Sequence, residues 1–276
     1  MPVLDRFRLD DKVVIVTGAS SGLGVAFAKA CAEAGADVVL AARRVEKLEG
    51  TAELVRAAGR RALSVATDVV DPAQCQAMVD AAMAEFGHVD VLVNNAGVGT
   101  AVPATRETPD EFRAVVDVNL NGAYWAAQAC GRVMAPGSSI VNIPSIRWAA
   151  QACGRVMAPG SSIVNISSIL GITTAGLPQA AYSASKAAIA GLTRDLAQQW
   201  GIRKGIRVNA IAPGFFESEM TDQYKPGYLE SVIERAVLGR TGDPEELAAT
   251  LVWLASDAGG YVTGQTIVVD GGVTIT

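Results

Sequence analysis

"VVIVTGASSGLGVAFAKA", Val13–Ala30, sets an apolar β-branched run, a glycine-rich turn and an amphipathic stretch in immediate succession. The run Val13–Val16 is apolar on every side, which suits a strand buried on both faces. Gly18, Gly22 and Gly24 let the backbone of the turn pass close to a pyrophosphate, and a helix start supplies N–H donors and positive potential. The spacing is TGxxxGxG rather than the commoner GxGxxG. A bare glycine cluster would say little; the strand–turn–helix context makes this a candidate dinucleotide loop. Ser20, Ser21 and Leu23 fall inside it.

Outward from this stretch, similar short runs recur: "DVVLAA" (37–42), "ALSVAT" (62–67), "VDVLVNN" (89–95), "SIVNIS" (162–167), "IRVNAIAP" (206–213) and "TIVVDGG" (266–272). Amphipathic stretches separate them, several opened by cap chemistry. Thr108-Pro109-Asp110-Glu111 combines a capping box with proline at the first helical position, and Asp71-Pro72 and Asp243-Pro244 use the same device. Strand and helix alternating in this way predict an α/β fold, a doubly wound parallel sheet with helices on both faces. No Pro/Gly/Ser-rich linker or charge block divides the 276 residues, so a single domain is expected.

Half of the residues are hydrophobic and 18% are charged, enough for a large core. A net charge of −5 argues against a nucleic-acid partner. The apolar runs are too short to span a membrane, and "MPVLDRFRLDDK" has charges where a signal peptide needs its apolar region. Cys31, Cys75, Cys130 and Cys153 lack metal-ligand spacing. A cytoplasmic protein with reduced thiols and no metal, membrane or nucleic-acid partner is expected. His88, the only histidine, falls in an "FGHVD" turn and reads as a solvated loop residue.

The second run ends Ala41-Ala42-Arg43-Arg44, without the carboxylate that would meet a ribose hydroxyl. Arg43 and Arg44 match a 2′-phosphate in charge and geometry, which favours NADP(H) and leaves NAD(H) open. Asp68, followed by Val69, stands where a carboxylate could meet the adenine amino group. Asn95, Ala96 and Gly97 end the fourth run at the edge where ligands bind. In "AAYSASKAAIAGL", Tyr182 and Lys186 are spaced i,i+4 and share one helix face. A tyrosine titrates at about pH 10, and a neighbouring cation stabilises its phenolate. Ser168 offers a hydroxyl 14 residues earlier.

Taken in order, "TGASSGLG", "NNAG", Asn119 in "VNLNG", Ser168, "YSASK", "IAPG" and "YVTGQTIVVDGG" resemble the short-chain dehydrogenase/reductase family from about Lys12 to Gly272. The resemblance implies a Rossmann-like fold and interconversion of a ketone and a secondary alcohol by hydride transfer. It implies Tyr182 as general acid/base and Lys186 as the residue that lowers its pKa and orients the cofactor ribose. Ser168 would polarise the carbonyl, and Asn119 would hold a water linking Lys186 to solvent. Pro213, Gly214, Phe216 and Ser218 would meet the nicotinamide end, with serine at a position where the family commonly has threonine. Leu177, Gln179, Phe215 and Met220 would line the substrate pocket, under a mobile lid over about 215–240 that also carries Tyr224. The family is commonly tetrameric. Its 3-oxoacyl-carrier-protein reductase-like group is the nearest by eye, yet no basic docking patch is evident, and a small ketone or secondary alcohol is the expected substrate. The rival reading is a cofactor-binding sensor or scaffold without turnover.

One feature departs from that plan. "WAAQACGRVMAPGSSIVNI" occurs at Trp125–Ile143 and again at Trp148–Ile166, a tandem duplication offset by 23 residues. Two copies are too few for a solenoid. The arrangement expected keeps a helix over Thr108–Ala135 and the second copy's strand over Ser161–Ser168, with about Pro136–Ala158 extruded. Ser168 rather than Ser145 then reaches the site, because Pro144 and Arg147 break the pattern after the first copy. The insert is expected to leave the chemistry intact and to bear on the oligomer.

Overall fold

The computed structural model describes residues 2–133, 161–216 and 227–276. The expectations for Pro136–Ala158, Ser145, Cys153, Ser218, Met220 and Tyr224 lie outside these residues. Among the described residues the seven runs form parallel strands: β1 (Val13–Thr17), β2 (Asp37–Ala42), β3 (Ala62–Ala66), β4 (Val91–Asn94), β5 (Ser162–Ile166), β6 (Arg207–Pro213) and β7 (Thr266–Val269). They pair in the order β3-β2-β1-β4-β5-β6-β7. The order reverses between β1 and β4, which opens a crevice beyond the carboxyl ends of those two strands.

Alternate side chains of each strand enter opposite layers. Val14 and Val16 join Phe27, Leu48, Leu251 and Leu254 on one face. That layer is contributed by helices α1 (Leu23–Glu33), α2 (Leu48–Ala57) and a C-terminal helix, Pro244–Ala255. Val13 and Ile15 join Cys75, Met78, Cys130 and Leu196 on the other, from α3 (Pro72–Phe86), α5 (Ala123–Val133) and α6 (Ala180–Lys204). With both faces covered, β1, β2, β4, β5 and β6 are buried along their whole length. Continuous apolar runs rather than alternating ones therefore mark them. Burial pushes the Cys31 thiol up to about 12 and Cys75 to about 11, so neither is a nucleophile at neutral pH.

The cap chemistry holds at three helix starts. Asp71 accepts from Ala73 N at 2.8 Å, and Thr108 and Asp243 each close a full capping box. The expected continuous helix from Thr108 is interrupted. Helix α4 (Pro109–Val116) passes into a π-helical turn, Asp117–Gly122, before α5 begins. Two tertiary contacts meet at that wide turn: Asn119 pairs with the backbone of Val98, and Gly122 lies so close to Val69 that a Cβ there would sit 2.6 Å from a Val69 methyl. Helix α5 uses the first copy of the repeat and β5 the second. The last two helices are α7 (Tyr228–Ile233) and α8 (Pro244–Ala255).

Candidate active site

A cleft of about 470 Å³ runs along the carboxyl edge of the sheet, across the β1/β4 switch point. At one end lies the glycine turn. Gly18 adopts φ +67° and Gly22 φ +56°, a region costly for other residues. A Cβ on Gly18 would meet Ala96 Cα at 2.9 Å. Gly24 serves packing instead, since a Cβ there would approach Gly18 O to 2.2 Å. Asn95 holds the turn from across the crevice, its amide donating to Thr17 O at 3.0 Å and Gly18 O at 3.1 Å. Thr17 Oγ1 in turn accepts from Asn95 N and Ala96 N, both at 3.1 Å. Unlike α3, α4 and α8, helix α1 carries no capping side chain at its N-terminus. Its first-turn N–H groups stand beside a cradle that any side chain would fill, which fits an anionic pyrophosphate.

Arg43 and Arg44 line the same end. The Arg44 guanidinium reaches back over the turn, donating to Ser21 Oγ at 3.1 Å and Ser20 Oγ at 3.4 Å. Two hydroxyls and a fork of N–H donors are thereby brought to one point. Asp68 and Val69 follow β3 on the cleft wall; Asp68 Oδ1 accepts from Val70 N at 3.2 Å and its own N–H donates to Gln74.

The other end holds Ser168, Tyr182 and Lys186, all buried. Lys186 Nζ donates to Ile166 O at 2.8 Å and lies 5.6 Å from the Tyr182 ring centre. Burial pulls the lysine down to about 8, because a desolvated ammonium is disfavoured. Ser168 caps a short 3-10 turn, its Oγ accepting from Leu170 N at 3.1 Å. Ser167 ties the strand end to the catalytic helix, donating from Oγ to Lys186 O at 2.7 Å while its N–H donates to Ile211 O at 2.7 Å. Gly171 lets the turn lie directly on α6: a Cβ there would sit 2.7 Å from Ala187 N and from Lys186 C.

The two copies of the repeat are followed by different residues at the positions that make these contacts. Positions 167, 170 and 171 correspond to Pro144, Arg147 and Trp148 after the first copy. Proline lacks both donors of Ser167. Arginine would replace Leu170, which is only 8% exposed, and tryptophan would replace a glycine with no room for one carbon.

The cleft thus brings together Gly18, Ser20, Ser21, Gly22, Leu23, Arg43, Arg44, Asp68, Val69, Asn95, Ala96, Gly97, Ser168, Tyr182, Lys186, Pro213, Gly214, Phe215 and Phe216. Gly24, Asn119, Leu177 and Gln179 are not on its wall. Asn119 sits behind it, 1% exposed, with its amide committed to Val98 N (2.8 Å), Val98 O (2.9 Å) and Ser185 Oγ (3.1 Å). Gln179 precedes Tyr182 by one turn as the N-cap of α6, 6% exposed, and its Oε1 has no hydrogen-bond partner. The sequence reading missed Thr67, Val98, Gly99, Val118, Ile166 and Ser167 on the wall; only "SS" at 167–168 hinted at any of them. His88 lies before β4, at the opposite edge of the sheet. It is not a purely solvated residue, since its ring nitrogens bond Phe86 O and Asp11 O at 3.1 Å each. Among the described residues no helix is long and apolar enough to cross a membrane.

The comparisons with known proteins agree with this arrangement. Residues 12–158 match the model of the short chain dehydrogenase family. Residues 144–274 match the model described as enoyl-(acyl carrier protein) reductase. The 2-dehydro-3-deoxy-D-gluconate 5-dehydrogenase of Dickeya dadantii is 37% identical over 275 residues, spanning 98% of both chains. The D-threitol dehydrogenase of Mycolicibacterium smegmatis is 36% identical over 273 residues, 98% of this chain and 95% of that one. The crystal structure of a gluconate 5-dehydrogenase from Burkholderia cenocepacia J2315, in complex with NADP and tartrate, superposes with a TM-score of 0.86 at 34% identity over the full length of both chains. With the glycine cradle, the switch-point cleft and matches of this extent, the chain belongs to the short-chain dehydrogenase family and is an NAD(P)-dependent oxidoreductase of alcohol and ketone substrates.

Proposed function

We propose that the protein is an NADP(H)-dependent reductase that interconverts a small, polar ketone and its secondary alcohol. One observation carries the reading: a buried Ser168, Tyr182 and Lys186 set closes the end of a cleft whose other end is a glycine cradle with Arg44 folded over it. When bound, the nicotinamide supplies the hydride. The rest is done by this chain. Arg43, Arg44, Ser20 and Ser21 would hold the 2′-phosphate, and the open start of α1 would hold the pyrophosphate. Asp68 and Val69 flank the adenine, and Asn95, Ala96 and Gly97 form the floor. Pro213, Gly214 and Phe216 would frame the nicotinamide end.

Tyr182 donates the proton to the carbonyl oxygen in reduction and takes it back in oxidation. Lys186, charged below about pH 8, lowers the cost of the phenolate that results. The N–H of Leu170 occupies a lone pair of Ser168 Oγ, which leaves the hydroxyl proton for the substrate oxygen. Asn119 braces the Val98 loop against Ser185, one residue from Lys186 on the same helix, and keeps the path for a relay water. Phe215 contributes to the substrate end of the cleft.

Support for a polar substrate comes from the relatives. The relatives above act, by name, on keto-sugar acids and polyols. The sequence repeat is read as a tandem duplication and the functional chain as a homotetramer, the family's common form. Following NADPH oxidation with polyhydroxylated ketones, keto acids and plain aryl ketones tests the reading. Turnover of at least one polyhydroxylated ketone, faster than of aryl ketones, is expected; turnover restricted to aryl ketones overturns the substrate class, and none at all overturns the enzyme reading.

A further inference from the structure

Phe216 and Gly242 form a peg and socket at the nicotinamide end of the cleft. The two are joined by an isolated parallel bridge, with Gly242 N donating to Phe215 O at 3.0 Å. The Phe216 ring is buried in the apolar layer that also holds Phe27 and Leu247. A Cβ on Gly242 would fall 2.2 Å from Phe216 Cε1, 2.6 Å from Cζ and 2.7 Å from Cδ1. Gly242 is not among the residues of positive φ, so the space, not the backbone, requires glycine here.

What would yield to a side chain at 242 follows from its neighbours. Arg240 grips Glu246 through two bonds of 2.7 and 2.8 Å, and Glu246 also accepts from Asp243 N at 2.9 Å within the capping box of α8. The socket is therefore anchored on both sides to a helix. On the other side of the strip, Gly214 N donates to Val269 O at 2.8 Å, and a Cβ on Gly214 would sit 2.7 Å from Asp270 Cα. The ring must move, and Phe215 and Phe216, which line the cleft, move with it.

We infer that Gly242 is a positioning residue for the cofactor: by lacking a side chain it seats the Phe216 ring and so fixes the Gly214–Phe216 strip against which the nicotinamide end rests. The inference rests on the cofactor assignment proposed above. The test uses four full-length proteins: wild type, Gly242→Ala, Phe216→Val and the double variant. NADPH dissociation constants are taken by fluorescence titration without substrate, alongside melting temperatures. Gly242→Ala should weaken NADPH by about tenfold, the scale of a modest overpacking penalty. In the Phe216→Val background the same alanine should leave affinity within about twofold, because the smaller side chain vacates the socket. Equal weakening in both backgrounds, or a lowered melting temperature with NADPH affinity unchanged, overturns the inference. If Gly242→Ala does not fold, the comparison of Phe216→Val with the double variant decides alone: equal binding supports the inference, and a double variant that misfolds or binds more weakly overturns it. A wild type that binds NADPH but reduces no ketone removes the proposed reaction and leaves this inference standing; one that binds no dinucleotide removes both.

Discussion

Replacing Lys186 by methionine should stabilise the ligand-free protein while destroying its activity. The lysine is 5% exposed, and burial lowers it from 10.5 to about 8. Between those two values the unfolded chain holds the proton and the folded chain does not, so raising the pH through this window stabilises the wild type. Conversely, at neutral pH the folded protein carries a desolvated ammonium at a cost of about 3 kcal/mol. Methionine keeps the length of the side chain and removes the charge. It also removes the 2.8 Å bond to Ile166 O, a loss of about 1–2 kcal/mol. The net expectation is a gain of about 1–2 kcal/mol at about pH 7, shrinking to nothing or reversing by about pH 10.5 as the wild type sheds its penalty. Urea unfolding of both proteins at the two pH values measures this directly. A methionine variant less stable than wild type at neutral pH, or a difference that does not change with pH, would refute the reasoning.

Three further outcomes are expected. Tyr182→Phe should cut turnover by about 10²–10⁴-fold, the usual share of a general acid, with NADPH affinity unchanged by fluorescence titration; a sensor would keep its function. Arg44→Ala should weaken NADPH by about tenfold and leave NADH nearly unaffected, as read from the ratio of the two KM values, because only the 2′-phosphate loses a charge-assisted partner. Removing Pro136–Ala158, which yields the same polypeptide as removing Trp125–Arg147, should preserve turnover within about threefold, since loop length costs little. Size-exclusion chromatography of the two forms then shows whether the duplication alters assembly.

How much of this was legible in the sequence follows from the range of each interaction. All seven strands could be read, because strands covered on both faces are written as uninterrupted apolar runs and the sheet here is covered from both sides. The starts of α3, α4 and α8 could be read because a cap is local, written within four residues. The π turn at Asp117–Gly122 could not, since the residues it contacts, Val98 and Val69, lie far back in the chain. For the same reason the sequence does not show that the amide of Asn95, on the cleft wall, also bonds Thr17 and Gly18. Gly171 and Gly242 are unremarkable in the sequence. Their meaning lies in which backbone or ring approaches the missing Cβ. The repeat is instructive: its identical residues cannot distinguish the copies, and the choice falls to the residues after them, Ser167, Leu170 and Gly171 against Pro144, Arg147 and Trp148.

The most direct measurement is NADPH oxidation by the wild type and by Ser168→Ala, side by side, with polyhydroxylated ketones as substrates. The account predicts measurable turnover by the wild type and a loss of about 10²-fold or more in kcat for the alanine variant, the scale for removing a donor to the developing oxyanion, with NADPH affinity unchanged. Equal turnover by both would show that the carbonyl is not polarised by the residue following the second copy of the repeat, and the central assignment would fall.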